Sequence, residues 1–264
     1  MSGEQHVPAA VHRPDPVVRS VTVSEIVESL AEGMRDFQCA PIYGLTFGAL
    51  YALGGILIVL SVSALGASYL AYPLAAGFAL IGPFIAVGLY EVSRRLDAGE
   101  PLSWSGVIGT IVAQGHRELG WMAFVTVFIF VVWMYQVRLL IALMLGLKSF
   151  SSLREFLIVV TTTPEGWIFL IIGHLLGAVL SLVLFSLTVV SFPLMLDRDI
   201  DFVTAMITSV RAVVASPGPM IGWAAVVIIL MIVACVPAFL GLLIVLPVLG
   251  HATWHLYRRI VQPL

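Results

Sequence analysis

The chain has 264 residues, of which 60% are hydrophobic and only 11% are charged, and its formal net charge is −2. A soluble globular domain has about 25% charged residues, so this composition excludes an ordinary water-soluble globule and predicts a lipid-bilayer protein. The near-neutral charge and the lack of a basic run exclude a nucleic-acid partner. With two cysteines, the chain also lacks a disulfide framework.

The N-terminal segment differs from the rest of the chain. Residues 1–22 contain several prolines and polar residues and lack the apolar core of a secretory signal peptide. We therefore expect a disordered cytoplasmic tail over 1–22, followed by one membrane domain over 23–264.

Six apolar segments follow. A membrane-spanning helix needs about 20 apolar residues, and the segments predict spans at 41–62, 69–90, 119–137, 166–194, 219–235 and 237–257. The last two belong to one apolar stretch that is too long for a single crossing. We divide it before Pro237, because proline is tolerated in the first turn of a helix but disrupts its interior. One kinked helix over 219–257 is the alternative.

An amphipathic segment precedes each odd-numbered span, at 23–37, 103–118 and 201–216. Their apolar residues recur every three or four positions, which is typical of helices lying in a membrane interface. The predicted fold is therefore an all-α polytopic membrane helix bundle. It has six transmembrane helices in three antiparallel pairs, each pair preceded by a cytoplasmic interfacial helix and related to the others as an internal repeat.

The basic residues set the orientation. With six spans and a cytoplasmic N-terminus, most Arg residues lie on the cytoplasmic side, and Arg138, Lys148 and Arg154 lie outside. Cytoplasmic loops of membrane proteins carry an excess of Lys and Arg. This distribution favours cytoplasmic N- and C-termini.

His251 and His255 are the sharpest polar signal in the sequence. Residues at i and i+4 share a helix face, which is the spacing of a two-histidine edge of a metal site. A metal needs further ligands, and His116 is one that could approach. The other interpretation is that these histidines bond lipid headgroups, the backbone or Glu91 at the membrane interface.

His174 is predicted at membrane depth in the fourth span, where an ionisable side chain is a functional candidate by default. The structural alternative is a buried, neutral imidazole that bonds across helices or to Ser181 or Ser186.

Two charged residues at span ends complete the candidate set. Glu91 can pair with Arg94 at i+3 and anchor the cytoplasmic rim. Arg138 ends the third span, where its guanidinium can extend outward, with Glu155 or Glu165 as partners on the same side.

Three motifs resemble a known family. The segments Tyr43–Gly55, Val189–Met206 and Leu246–Val261 are similar to a bacterial integral membrane family, domain of unknown function 2189. The resemblance implies a polytopic protein of the bacterial inner membrane. Some members are labelled as similar to cytochrome c oxidase subunit I, but the histidines of this chain are too few and too far apart in depth to support that label.

No catalytic constellation stands out, so we expect a non-enzymatic protein without a cofactor, acting as an accessory or assembly partner of a larger membrane complex. One alternative is a transporter of small solutes or lipids, since transporters often use repeats and interrupted helices. A second alternative is a haem or metal protein that uses His251 and His255.

Overall fold

The computed structural model describes residues 15–64, 71–115, 118–146 and 153–262. Over these ranges the chain is helical and has no strand. The helices are α1 (Val23–Cys39), α2 (Pro41–Ala64), α3 (Ala71–Ala98), α4 (Trp104–Gly115), α5 (Leu119–Leu140), α6 (Leu153–Thr162), α7 (Pro164–Thr188), α8 (Ser191–Asp197), α9 (Phe202–Ala215), α10 (Pro217–Cys235) and α11 (Leu242–Ile260). A π-helical turn, Ile141–Leu145, continues α5.

Five of these helical segments are long and apolar enough to cross a membrane. They are Pro41–Ala64, Pro73–Ala98, Leu119–Leu145, Pro164–Asp197 and Pro217–Cys235. Each overlaps one of the first five predicted spans, which confirms a polytopic all-helical membrane bundle. The sixth predicted span, 237–257, is not among them. It corresponds to α11, whose last turn carries Arg258 and Arg259.

The break that the sequence analysis placed after Cys235 is present, but the prediction that Pro237 begins the next helix is wrong. The chain reverses through Ala238 and Phe239, whose φ angles of 50° and 65° lie in the left-handed region. α11 begins only at Leu242. A proline at the start of a helix cannot by itself reverse the chain direction, and the extra turn residues supply that reversal.

Ala238 offers a direct test of this turn. The left-handed conformation costs an L-residue about 1–2 kcal/mol, a cost that glycine avoids. We expect Ala238→Gly to raise the midpoint of thermal unfolding in detergent. Ala238→Val should lower it, because a β-branched side chain tolerates this conformation poorly. Equal midpoints for both variants would contradict the left-handed turn.

Both ends of the described chain meet at one end of the bundle. Val18 forms an isolated antiparallel bridge with Val261, and the Arg19 amide donates to the carbonyl of Ile260 at 2.9 Å. α11 therefore returns the chain to the end at which α1 begins. Most of the predicted tail, 1–14, lies outside the described residues, whereas its remainder, 15–22, is held by these contacts.

α11 is the packing centre of the bundle. It lies against α1, α2 and α3, and 13 of its 19 residues are buried. Glycines permit the closest approaches. A Cβ on Gly33 of α1 would lie 2.5 Å from the Ala252 amide nitrogen, and one on Gly48 of α2 would lie 2.9 Å from the Leu242 carbonyl. α11 is therefore surrounded mainly by other helices of the chain rather than by lipid, which explains why it carries polar side chains.

The three predicted amphipathic segments form α1, α4 and α9. Each helix begins after a residue whose side chain accepts a backbone N–H three positions later, as is usual for helix N-caps. These cap residues are Thr22, Ser103 and Asp201. The apolar side of α1 packs against α11 rather than only against a membrane surface, because Ile26 and Gly33 are buried there.

The first residues of α4 and α9 make similar aromatic contacts. Trp104 lies on Tyr43 of α2, with ring centroids 4.3 Å apart. Phe202 stacks on Trp121 of α5 at 5.5 Å. In both cases the first residue of an amphipathic helix packs on the third residue of an earlier long helix, α2 or α5, which is the odd-numbered span of the preceding repeat. These matching contacts are consistent with the repeat in the sequence.

The fourth predicted span is interrupted. α7 ends at Thr188 and α8 begins at Ser191, so the continuous helix expected over 166–194 is broken at two residues. The amide of Val190, freed by this break, donates to the Ser209 hydroxyl of α9 at 3.1 Å. A polar side chain from a neighbouring helix thus satisfies the backbone at the break.

Candidate functional site

Polar side chains from three helices meet at the end of the bundle where the chain termini lie. We call this group the polar network, and it consists of Glu32 and Asp36 of α1, Ser93 of α3, and His251, His255 and Arg259 of α11. It joins the N-terminal helix to the C-terminal helix of the described chain.

Asp36 is the centre of the polar network. Its Oδ2 atom lies 2.8 Å from His255 Nε2 and 2.6 Å from Ser93 Oγ. A carboxylate only accepts hydrogen bonds, so both neighbours donate to it. Burial alone would raise the pKa of Asp36, but the hydrogen bonds from His255 and Ser93 outweigh burial and lower it. Asp36 is therefore an anion at neutral pH.

The tautomer of His251 follows from the same geometry. Ser93 has one hydroxyl hydrogen, which it gives to Asp36, and Ser93 Oγ lies 2.8 Å from His251 Nδ1. His251 Nδ1 must then carry the hydrogen and donate to Ser93. His251 Nε2 is left buried and has no hydrogen-bond partner within the described ranges. His251 is thus held as a neutral donor.

On the other side of the polar network, Arg259 binds Glu32. Arg259 Nη2 lies 3.0 Å from Glu32 Oε1, and Nη1 contacts the second carboxylate oxygen. The hydrogen bond from Arg259 lowers the pKa of Glu32. His255 Nδ1 lies 3.5 Å from Glu32 Oε2. A carboxyl group whose pKa is lowered by folding stabilises the folded state at pH values above its ordinary pKa. The stabilisation from Glu32 and Asp36 is therefore lost as the pH falls through their lowered pKa values.

Helical spacing explains how the polar network is assembled. His251, His255 and Arg259 recur every four residues and share one face of α11, and Glu32 and Asp36 share one face of α1 in the same way. Gly33, between the two carboxylates, lets the backbones of α1 and α11 approach closely enough for these side chains to meet.

Glu91 forms a second buried cluster, between α3 and α4. Its side chain is fully buried and binds Arg94 Nε at 2.8 Å and Arg95 Nε at 2.6 Å. The Thr110 hydroxyl of α4 donates to it at 3.1 Å. The pairing with Arg94 was predicted, whereas Arg95 and Thr110 were not. The expected contact of Glu91 with the histidines of α11 is absent from the bonds of His251 and His255 described above, which go to Ser93 and Asp36.

His174 lies elsewhere than the sequence analysis expected. Its side chain is exposed on the outside of α7, and Nδ1 lies 2.7 Å from the Leu170 carbonyl of the same helix. The expectation that it is buried and bonds Ser181 or Ser186 is therefore wrong, and the Ser186 hydroxyl donates to Leu182 instead. A helix that is apolar all round does not indicate which face packs inward.

Arg138 is exposed in the last turn of α5, and Glu165 lies in the first turn of α7. Its pairing with Glu155 or Glu165 stays a prediction. Metal or haem binding by His251 and His255 also stays a prediction. His116 lies outside the described residues, and within them no group of three or more His, Cys, Asp and Glu side chains could hold a metal ion.

Sequence reasoning missed most of the polar network. It singled out His251 and His255 by their spacing, but not Asp36, Ser93 or Arg259. Two further contacts of α11 were also missed. Trp254 Nε1 donates to Asp97 at 2.7 Å, and the Tyr257 hydroxyl donates to Asp197. One inference from the sequence was available: if α11 is buried, each of its polar side chains needs a hydrogen-bond partner from another helix.

Comparison with known proteins gives one family. Residues 71–197 match DUF2189, described as a predicted integral membrane protein. No curated protein and no solved structure matches the chain. The matched segment runs from the start of α3 to the end of α8, so α1 and α11 lie outside it. The match confirms the resemblance seen in the motifs: residues 71–197 are similar to the DUF2189 family of predicted integral membrane proteins.

Proposed function

We propose that this protein is a non-enzymatic accessory or assembly partner of a larger membrane complex, and that the side formed by α5 and α7 contacts the partner. The two ends of the described chain are fastened together by the polar network and the Val18–Val261 bridge. The helices joined in this way form a scaffold that holds α5 and α7 at its side.

The observation that carries this proposal is the uneven packing of the long helices. In the apolar windows of α2 and α3, 28% of the residues are buried inside the chain, against 6% in the windows of α5 and α7. α5 and α7 contact each other and α9, but most of their length faces outward. A partner helix would supply the packing that the chain itself does not.

Two features of α7 support a protein neighbour on this side. A Cβ placed on Gly177 would meet no atom within 4 Å, so a small residue is left without a helix packed on it. His174, one turn earlier, is exposed in the same helix. Helix association in lipid depends on close packing and on polar contacts, and an ionisable group facing lipid is costly.

The orientation belongs to the same proposal. We place the protein in the bacterial inner membrane with both termini cytoplasmic, as the Arg distribution favours. The contact of Arg19 with Ile260 supports an even number of crossings, because it places both ends on one side. α11 would then be the sixth crossing, paired with α10.

Site-specific photocrosslinking tests the partner surface. A photoreactive amino acid at Leu175 of α7 should give discrete protein adducts in native membranes. The matched control is Leu57 of α2, because the two side chains are equally exposed, at 63% and 62%. Leu57 should give mainly lipid adducts, since α2 already packs on α3 and α11.

Two results would count against the proposal. One is a yield of lipid adducts alone from both Leu175 and Leu57, and the other is migration of the protein as a lone species after gentle solubilisation. Either outcome would indicate that α5 and α7 face lipid only.

A further inference from the structure

We propose that the contact between α1 and α11 is a proton-responsive latch, in which His255 holds α1 closed when protonated and loosens it when neutral. This inference does not depend on the partner surface of α5 and α7. It concerns other helices, α1 and α11, and is argued from the geometry of the polar network.

The imidazole of His255 lies between two carboxylates of α1. Nε2 lies 2.8 Å from Asp36 and Nδ1 lies 3.5 Å from Glu32. A protonated imidazole donates from both nitrogens, whereas a neutral one donates from only one. With Nε2–H on Asp36, the neutral form turns a lone pair toward Glu32. α1 is thus held by both contacts in the protonated state and by one in the neutral state.

The charges that surround His255 come from three helices. They are Glu32 and Asp36 of α1, Asp97 of α3, and His251 and Arg259 of α11 itself. α8 also packs on α11, and its Asp197 binds the Tyr257 hydroxyl and Arg258. Two further helices packed on α11, α2 and α10, contain no Asp, Glu, Lys, Arg or His. The nearest charges to His255 are therefore two carboxylates, Asp36 in a hydrogen bond and Glu32 at 3.5 Å, and nearby anions favour the protonated imidazole.

His251 cannot act as the responsive group in place of His255. Its Nδ1–H is given to Ser93, and its Nε2 has no hydrogen-bond partner among the described residues. Its ring is fully buried, so protonation would place a charge in a site removed from water, which is costly. Arg259 keeps its charge over the whole physiological range and binds Glu32 in both states. Loss of the proton on His255 therefore loosens α1 without detaching it.

Loosening α1 has a structural consequence next to the polar network. The outer side of α1 forms an apolar groove with α10 and α11, with a volume of about 440 Å³. Leu30 and Met34 line it from α1, and Val245 and Val248 line it from α11. A movement of α1 away from α11 would widen this groove toward the bilayer.

Distance measurements by pulsed electron spin resonance test the latch. Cys39 and Cys235, the two cysteines of the chain, are replaced by serine, and spin labels are attached at Val27→Cys in α1 and Ile228→Cys in α10, which are both exposed. In lipid nanodiscs, we expect the short-distance population to dominate at about pH 6 and to decrease at about pH 9. We expect the ratio of the two populations to change about tenfold between these pH values, because His255 loses one of its two carboxylate contacts when it is deprotonated.

Variants and a second label pair keep the test specific. His255→Gln should remove the pH dependence, whereas His251→Gln should retain it. Labels at Val127 of α5 and Leu175 of α7, also exposed, should show one pH-independent distance and report that the bundle is folded. A wild-type distance that does not change with pH, or a response that persists in His255→Gln, would overturn the proposal.

Discussion

Replacing Glu91 by leucine is expected to lower the free energy of unfolding by about 3 kcal/mol, as for other buried ion pairs that lose one partner. Glu91 is fully buried and is bound by Arg94 and Arg95. Its removal leaves both guanidinium groups without their closest anion and takes an acceptor from Thr110 of α4. Denaturant or thermal unfolding of the purified protein in detergent measures the loss.

A second carboxylate bound to the same arginines gives the control. Glu100 lies 3.2 Å from Arg94 and 3.7 Å from Arg95, but its side chain is 41% exposed. Exposed ion pairs contribute about 0–1 kcal/mol, so Glu100→Gln should have little effect. Similar losses for Glu91→Leu and Glu100→Gln would show that burial of Glu91 does not determine the stability of this cluster.

The sequence was most informative where many residues carry the same signal. A span of about 20 apolar residues is recognised by its sum, so an error at any one position matters little. The segment predicted over 119–137 is α5, Leu119–Leu140, and the segment over 219–235 is α10, Pro217–Cys235. The amphipathic segment over 201–216 became α9, Phe202–Ala215, for the same reason.

The turn between α10 and α11 could be predicted only in part, because its conformation depends on single residues rather than on a summed pattern. Proline predicted a helix boundary near residue 237 correctly, because it removes an N–H and clashes with the preceding turn. The residues that reverse the chain are Ala238 and Phe239, which rarely adopt positive φ. Neither residue type indicates a turn in the sequence. In the structure, the turn places the ring of Phe239 against Gly55 of α2.

The polar network could be only half predicted. The spacing of His251 and His255 placed them on one face of a helix, which the structure shows, but their partners come from helices remote in sequence. Asp36 is 219 residues away from His255. A single sequence carries no information about which residues so far apart along the chain lie in contact. The amphipathic pattern of α1 is equally ambiguous, since an apolar stripe fits a lipid surface or a neighbouring helix.

The prediction of a membrane span over 237–257 rested on composition alone, which does not show whether a helix faces lipid or protein. The apolar residues of α11 met the requirement for a crossing, while its polar residues were assigned to the membrane rim. The structure places both sets against protein, with Trp254, Tyr257 and His251 all buried. A helix packed against α1, α2 and α3 can carry His and Asp contacts at little cost, because most of its buried polar atoms have a partner from another helix; among the described residues of α11, His251 Nε2 is the exception.

The close contact of α1 with α11 leads to the second large effect that we expect, from Gly33→Ala. A Cβ at this position would lie 2.5 Å from the Ala252 nitrogen and 2.7 Å from the Val248 carbonyl oxygen. Both atoms belong to the backbone of a buried helix, so neither can rotate away. We expect Gly33→Ala to lower the free energy of unfolding by about 3 kcal/mol, the upper range for overpacked cores.

Gly222→Ala in α10 is the matched control, because its added Cβ would meet nothing within 4 Å. Alanine is favoured over glycine inside a helix by about 1 kcal/mol at either position. Gly222→Ala should therefore be neutral or stabilising, whereas Gly33→Ala should destabilise, with thermal unfolding in detergent as the measurement. Because intrinsic helix propensity acts in the same direction in both variants, opposite signs can arise only from the contact of α1 with α11. Stabilisation by Gly33→Ala would mean that the two helices do not approach as closely as the polar network requires.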